Sequence, residues 1–365
     1  MRLLLAVALS IALLDARAGD VADACVADLD ALPGFLLAND AGGRDLAAQH
    51  GKALDEARER ARSQARDAGD DDACVAALRT YLRAWRHGHL SISANRPAAS
   101  GGAALPPPPN DPRAPRLRVL SAQTALLTLP TFNDHFGPLI ASLVARHRRE
   151  IVSRPYLIID VRRNDGGSDS SYAPILPLVA ANVTRTMNAE FLATPANIAA
   201  SEAVCNLPEV VTAVCMRFMA PVLEAMRAAP SGTYVLPTGA PRIEVAVPRR
   251  VLANPRRIAL LIDGRCGSSC EEFVLVVRQS FKVKTFGRPT AGSLDYSNLR
   301  PYDLPSGKRR LFYATSRSLR LPSNPIDADG IGPDRCRSRR AKRRSTPKSR
   351  PSAACSKAAI PSASC

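Results

Sequence analysis

The sequence predicts an α/β fold preceded by a smaller helical domain. Two observations carry this. Residues 22–85 hold Ala, Leu, Glu and Arg at helical spacing with few breakers, and from residue 117 onward strand-length apolar runs alternate with helical segments. A Pro-, Ala- and Gly-rich stretch between them reads as a linker. The expected division is a signal peptide at 1–18, a helical domain at 19–90, a linker at 91–116, an α/β domain at 117–334 and a basic tail at 335–365.

The opening MRLLLAVALSIALLDARA has a basic second residue, an apolar run of about ten and an Ala-x-Ala ending at Ala18, the pattern of a secretory signal. No later run is long and apolar enough to span a bilayer. The chain is therefore expected to be exported, periplasmic or secreted. Export permits disulfides, and of the nine cysteines Cys25 with Cys74 and Cys205 with Cys215 pair reasonably on sequence distance. The net charge of +17 suggests nucleic acid until it is mapped: ten of the Lys and Arg residues lie after Asp334, in a tail without acidic residues. No nucleic-acid partner is expected for the folded body, and disorder is the first reading of the tail, an anionic partner the second.

Helices are expected over 22–36, 46–66 and 74–85, the last stopped by the glycine of Arg86-His87-Gly88-His89. Residues 118–130 read as a hairpin, 135–149 as a helix and 156–161 as a buried strand. Asn164-Asp165-Gly166-Gly167 follows, then a helix through Leu178. A helix interrupted near Pro208 covers 202–227, and a Pro-broken β region covers 234–247. Further strands are expected at 282–286, where Lys282 and Lys284 read as solvated charges, and near 311–315.

The stretch IALLIDGRCGSSCEEFVLVVRQS, 258–280, places serines at a strand-to-helix turn. A helix start offers free N–H groups and positive potential to a developing oxyanion, which suits a nucleophile. Ser268-x-x-Glu271 and Ser269-x-x-Glu272 also each spell a capping box, and alone the stretch reads as a cap. His89 beyond a glycine stop reads, alone, as a solvent-facing C-cap residue.

Together these segments resemble a known family. LIIDVRRNDGGS, LLIDGRCGSSCEEF and FGRPTAGSLDYSN, with HGHLSI upstream and GIGPD downstream, are similar in order and spacing to the tail-specific, or carboxyl-terminal processing, serine proteases. The resemblance runs from about residue 81 to residue 334. It implies a crotonase/ClpP-like ββα spiral for the catalytic domain, protein or peptide substrates, and no metal or organic cofactor. It makes Ser268 the nucleophile, with the backbone N–H groups of Gly166 or Gly167 and of Ser269 as oxyanion donors.

The base departs from the best-known members, which use a lysine where this chain has Ser293. The tricorn-like branch uses histidine and a carboxylate, and His89 matches its Gly-His segment. The same likeness points to Asp327 as the orienting carboxylate, with Asp329 in reserve. Cys270 is a competing nucleophile, against which stands a small buried residue or a disulfide with Cys266. The cysteines make no convincing zinc site. The 25 or so residues from Ser91 to Pro115 cannot hold the PDZ module many members carry, and Arg335 opens the basic tail where members continue into another strand. The expectation is an exported serine endopeptidase. The alternative is an inactive peptide- or ligand-binding protein on the same fold, and oligomeric state is left open.

Overall fold

Helix-forming segments dominate the N-terminal part of the chain, and one face of each is apolar. The computed structural model describes residues 2–95, 108, 110–206 and 212–336. Helix α1 (Arg2–Asn39) runs without a break through Ala18, and α2 (Gly43–Arg66) and α3 (Asp71–Trp85) pack on it. The α3 helix starts three residues before Cys74 because Asp70 caps it, accepting from Ala73 N at 2.7 Å, and Asp71 and Asp72 favour the positive first turn. Its buried stripe of Cys74, Val75, Leu78, Tyr81, Leu82 and Trp85 has helical spacing. The Cys25–Cys74 disulfide ties α3 to α1.

Strand β1 (Ser91–Ala94) occupies the first residues expected to be linker, and 96–107 and 109 lie outside the described residues. The hairpin β2 (Arg116–Val119) and β3 (Thr124–Thr128) leads through α4 (Gly137–Arg146) and α5 (Arg148–Val152) to β4 (Tyr156–Asp160). Short helices α6 (Asp169–Tyr172) and α7 (Leu176–Val179) follow, then β5 (Thr184–Met187) and β6 (Ala189–Ala193). Helices α8 (Pro195–Ala203) and α9 (Thr212–Ala228) flank residues 207–211, so the interruption expected near Pro208 lies outside the described residues. Next come β7 (Thr233–Val235), β8 (Ile243–Ala246), β9 (Arg257–Ile262), α10 (Ser269–Val277) and β10 (Val283–Gly287). The described chain closes with β11 (Tyr296–Asp303), β12 (Arg309–Ser318) and β13 (Arg335–Cys336). Tail residues 337–365 lie outside it.

The described residues form a mixed α/β structure with three sheets. The six-stranded sheet has the order β13-β10-β9-β4-β3-β2 and is parallel except for the β2–β3 hairpin. The two-residue β13 supplies a strand just where the tail was expected to begin. In the second sheet one edge of β12 pairs along its length with β11, and the other is shared by β1 and β6. Strands β5 and β8 form a small separate ribbon.

Two apolar clusters organise these layers. Leu127, Ile159, Leu260 and Ile262 of the parallel sheet meet Phe273, Val274 and Val277 of α10. The N-terminal helices share the other with Leu311 and Tyr313 of β12, so helices and second sheet have one core. The fully buried Arg309–Asp28 ion pair (3.1 Å) lies between them, with Arg309 also reaching Asp71 at 2.6 Å. Lys282, expected to be solvated, is 4% exposed and donates to Leu252 O at 2.6 Å, which satisfies the buried ammonium. Among the described residues no helix is long and apolar enough to cross a membrane.

Candidate active site

Strands β4 and β9 are parallel neighbours, with Asp160 opposite Leu261, so the loops after both emerge at one end of the sheet. Ligand sites of open α/β sheets gather outside such carboxyl ends. The first loop carries Asn164 to Gly167, the second Asp263 to Ser268 and the start of α10. Buried Asn164 couples them: its Nδ2 donates to Leu129 O at 2.9 Å, its Oδ1 accepts from Gly166 N at 3.0 Å, and its carbonyl accepts from Gly267 N at 3.1 Å. Gly166 has φ +101, and a Cβ there would lie 2.7 Å from Gly267 O and 2.8 Å from Ser268 Cβ. Only glycine allows the two turns this approach.

Ser268 itself has φ +56 and ψ −126, a conformation that non-glycine residues rarely adopt and that surrounding bonds must impose. Those bonds come largely from Glu271. Its fully buried carboxylate accepts from Thr290 Oγ1 (2.5 Å) and Gly292 N (2.8 Å) on Oε1, and from Ser293 N (2.8 Å), Ser293 Oγ (3.3 Å) and Ser268 N (3.3 Å) on Oε2. The Glu271 half of the capping box is thus formed. Glu271 N donates to the Ser268 carbonyl oxygen at 2.7 Å. A disulfide between Cys266 and Cys270 brackets Gly267, Ser268 and Ser269. Both sulfurs are buried, so Cys270 is a crosslink rather than an alternative nucleophile.

His89 approaches from the other sheet. It follows α3 with φ +52, and its Nδ1 meets the carbonyl oxygen of Tyr296, the first residue of β11, at 2.5 Å. A carbonyl can only accept, so Nδ1 carries the proton and Nε2 is left as an acceptor. Burial pulls the ring below the ordinary histidine value, and the Arg86 charge adds to this against the bond to Tyr296.

The expected orienting carboxylate is elsewhere. Asp327 Oδ1 accepts from Leu294 N (2.6 Å) and Asp295 N (2.8 Å), and its buried Oδ2 has no hydrogen-bond partner among the described residues. Burial and the neighbouring Asp295 charge push Asp327 up to about 6. Asp295 reciprocates, its Oδ2 accepting from Ile326 N (2.6 Å) and Asp327 N (2.8 Å). This clasp holds the residues just before Tyr296. Asp327 therefore bonds backbone, not the imidazole, and Asp329 is exposed on the same turn.

His89, Gly167, Ser268 and Ser269 line one cleft of about 780 Å³. Of the two glycines expected as alternative donors, Gly166 has its amide bonded to Asn164 Oδ1. Gly167 N and Ser269 N carry no hydrogen bond among the described residues. The cleft also exposes Asp165, Asp169, Glu244, Glu272 and Arg320. Burial first, then the Asp169 charge, push Glu272 up to about 7, against the pull of Arg320 at 3.5 Å. Among the described residues no group of three or more His, Cys, Asp or Glu is placed to hold a metal ion. The roles of Tyr296 and Asn164 had little signature in the sequence: the first is a backbone carbonyl, the second sat in a motif read for its glycines.

Comparison with known proteins places this geometry in context. The sequence pattern of peptidase family S41 matches residues 123–336, more than half of the chain and short of His89. No curated protein matches. Among solved structures, mature CPAF complexed with lactacystin is 12% identical over 86% of this chain and 93% of that one, with a TM-score of 0.57. Mature CPAF alone gives 12%, 86%, 92% and 0.54, and a lipoprotein from Streptococcus agalactiae gives 14%, 86%, 92% and 0.46. At such identities the likeness to CPAF is one of fold.

Proposed function

Because the chain belongs to peptidase family S41, and is thus a serine-type peptidase acting on peptide substrates, we propose that Ser268 is its nucleophile and His89 its general base and acid. The observation that carries this reading is the shared cleft: Ser268 at the start of α10 and a histidine whose only free ring nitrogen is Nε2. The orienting partner of His89 is the Tyr296 carbonyl, with Asp327 acting behind it on the 294–295 backbone. Gly167 N and Ser269 N are the oxyanion donors.

The reaction follows from these parts. Ser268 Oγ attacks the scissile carbonyl while its proton passes to His89 Nε2, and the carbonyl oxygen takes negative charge facing the two amides. Collapse breaks the C–N bond, and His89 returns the proton to the leaving amine. Water then repeats the sequence on the acyl-enzyme, with His89 again taking and returning a proton. A carbonyl partner fixes the Nδ1–H tautomer but carries no full charge to balance an imidazolium, which agrees with the depressed proton affinity of His89.

We further read residues 117–334 as a ββα spiral of the crotonase/ClpP kind, with β3, β4 and β9 each leading into a helix, and residues 19–90 as the segment that supplies His89. Export through residues 1–18 fits the three disulfides, which persist in oxidising compartments. The direct test is covalent labelling by a fluorophosphonate together with peptide-library hydrolysis. Labelling at Ser268 and loss of both signals in Ser268→Ala are expected. Hydrolysis unchanged in Ser268→Ala would remove the assignment, and a folded wild-type protein that neither labels nor cleaves would point to a binding protein instead.

A further inference from the structure

We propose that Arg86 is the positioning residue for the base: its guanidinium fixes both the turn that carries His89 and the residue whose carbonyl holds the imidazole. This rests on the reading of His89 as the base.

The geometry is unusually complete for one side chain. Arg86 NH1 and NH2 form a forked pair with Asp40 at 2.5 and 2.6 Å, and the two side chains are 4% and 1% exposed. The remaining donors turn to the catalytic turn itself. Nε donates to Gly88 O at 2.8 Å and NH2 to His89 O at 2.9 Å. The guanidinium carbon also lies 5.1 Å from the centre of the Tyr296 ring. One planar cation therefore touches the backbone on both sides of the His89 Cα and the residue at the far end of the Nδ1 bond.

The turn needs this support. His89 sits at φ +52, where a β-carbon is disfavoured, and a helix end alone would leave it free to relax. Gly88 is pressed against Ser293, a Cβ there falling 2.5 Å from the Ser293 Cβ, so the turn is clamped on one side by loop 290–293 and on the other by Arg86. Asp40 is anchored independently, accepting from Gly42 N at 2.9 Å and Ala314 N at 3.2 Å. Positioning thus runs from the α1–α2 corner and β12 through Arg86 to the imidazole. Lysine could keep the charge and one bond to Asp40, but a point charge cannot serve four acceptors at fixed angles.

The same cation disfavours a second positive charge beside it. Other charged groups around the ring are Asp165, Asp169, Glu244, Glu272 and Arg320 along the cleft and Asp327 behind the 294–296 backbone. Arg86 is the charge that acts on His89. Its charge is separable from its geometry, because lysine keeps the first and loses the second, whereas methionine loses both.

The experiment compares full-length wild type with Arg86→Lys, Arg86→Met and His89→Gln. It measures kcat and KM on one peptide across pH 4–9, with far-ultraviolet circular dichroism to establish folding. For Arg86→Lys, kcat is expected to fall by about 100-fold, the scale of an ångström-level misplacement, with KM within about two-fold and the acid limb little moved. For Arg86→Met, the fall in kcat is expected together with an acid limb displaced to higher pH. A folded Arg86→Lys enzyme with wild-type kcat overturns the proposal, and this comparison decides the matter alone should Arg86→Met not fold. Loss carried wholly in KM, with kcat intact, overturns it as well. His89→Gln separates the two levels: if it retains wild-type kcat, the base assignment is wrong, whatever the Arg86 variants do.

Discussion

Removing the Glu271 carboxylate tests how the Ser268 turn is held. In Glu271→Ala, the amides of Gly292 and Ser293 lose 2.8 Å acceptors in an enclosed site, and Ser268 N loses a weaker one at 3.3 Å. The hydroxyls of Thr290 and Ser293 can rotate towards other partners, so the two amides dominate. Each stranded amide costs about 1–3 kcal/mol, offset in part because a buried carboxylate no longer has to be desolvated. A loss of about 2–4 kcal/mol follows, a large share of the roughly 5–15 kcal/mol of an ordinary domain. Glu271→Gln keeps one carbonyl oxygen, but its NH2 must face either Gly292 N or the Ser293 and Ser268 amides, so about 2 kcal/mol is expected. Urea unfolding followed by the fluorescence of the single tryptophan, Trp85, gives both values. Fluorophosphonate labelling of the still-folded Gln variant should slow at least ten-fold, because the strained Ser268 backbone is freed. An alanine variant within about 0.5 kcal/mol of wild type, the range of an ordinary surface change, would refute this account of the turn.

Three further outcomes follow from the same geometry. The acid limb of kcat/KM should lie below the usual histidine value near ~6.5, because burial favours neutral His89; a limb at or above it contradicts the environment described. Glu272 binds its proton more tightly when folded, at about 7 against 4.5, so ionising it costs stability as pH rises through that interval and nothing below it. Glu272→Gln should therefore stabilise the protein by up to about 3 kcal/mol at pH 8, with the gain gone by pH 4.5, in paired thermal melts. Replacing Cys25 and Cys74 together by alanine removes a link across a sequence separation of 49 and should cost about 4 kcal/mol by chain entropy, read from urea midpoints.

Much of this was legible because period and order are written in side chains. The stripe from Cys74 to Trp85 and the run from Tyr156 to Asp160 form the elements their spacing implied. Ser268 and His89 meet in one cleft. The two pairs suggested by distance along the chain are formed, and Cys266 with Cys270 takes the disulfide that was one of its two alternatives. What was not legible depends on partners rather than letters. Strand β11 reads YSNLRPYD, with a proline and no alternation, and exists because β12 lies beside it. Strand β1 was hidden in an apparent linker for the same reason. The partner of the His89 ring was sought among carboxylates, whereas the ring is held by a peptide oxygen, which every residue has. Asp327 carried the right address but the wrong connection: its oxygen reaches the amides of Leu294 and Asp295, one step short of Tyr296.

The buried contact of Asp28 with Ser306 and Arg309 has a consequence for how the molecule is made. These partners are separated by 278 and 281 residues, and Leu311 and Tyr313 complete the apolar cluster of the N-terminal helices. The first helices leave the ribosome early, and their own disulfide closes locally, yet their last packing surface is translated near the end of the chain. Closing so large a loop is slow. Until then the nascent helical segment has one apolar face uncovered. His89 stands at the end of that segment, so the proposed base reaches its station only when Tyr296 of β11 and its neighbour β12 are in place.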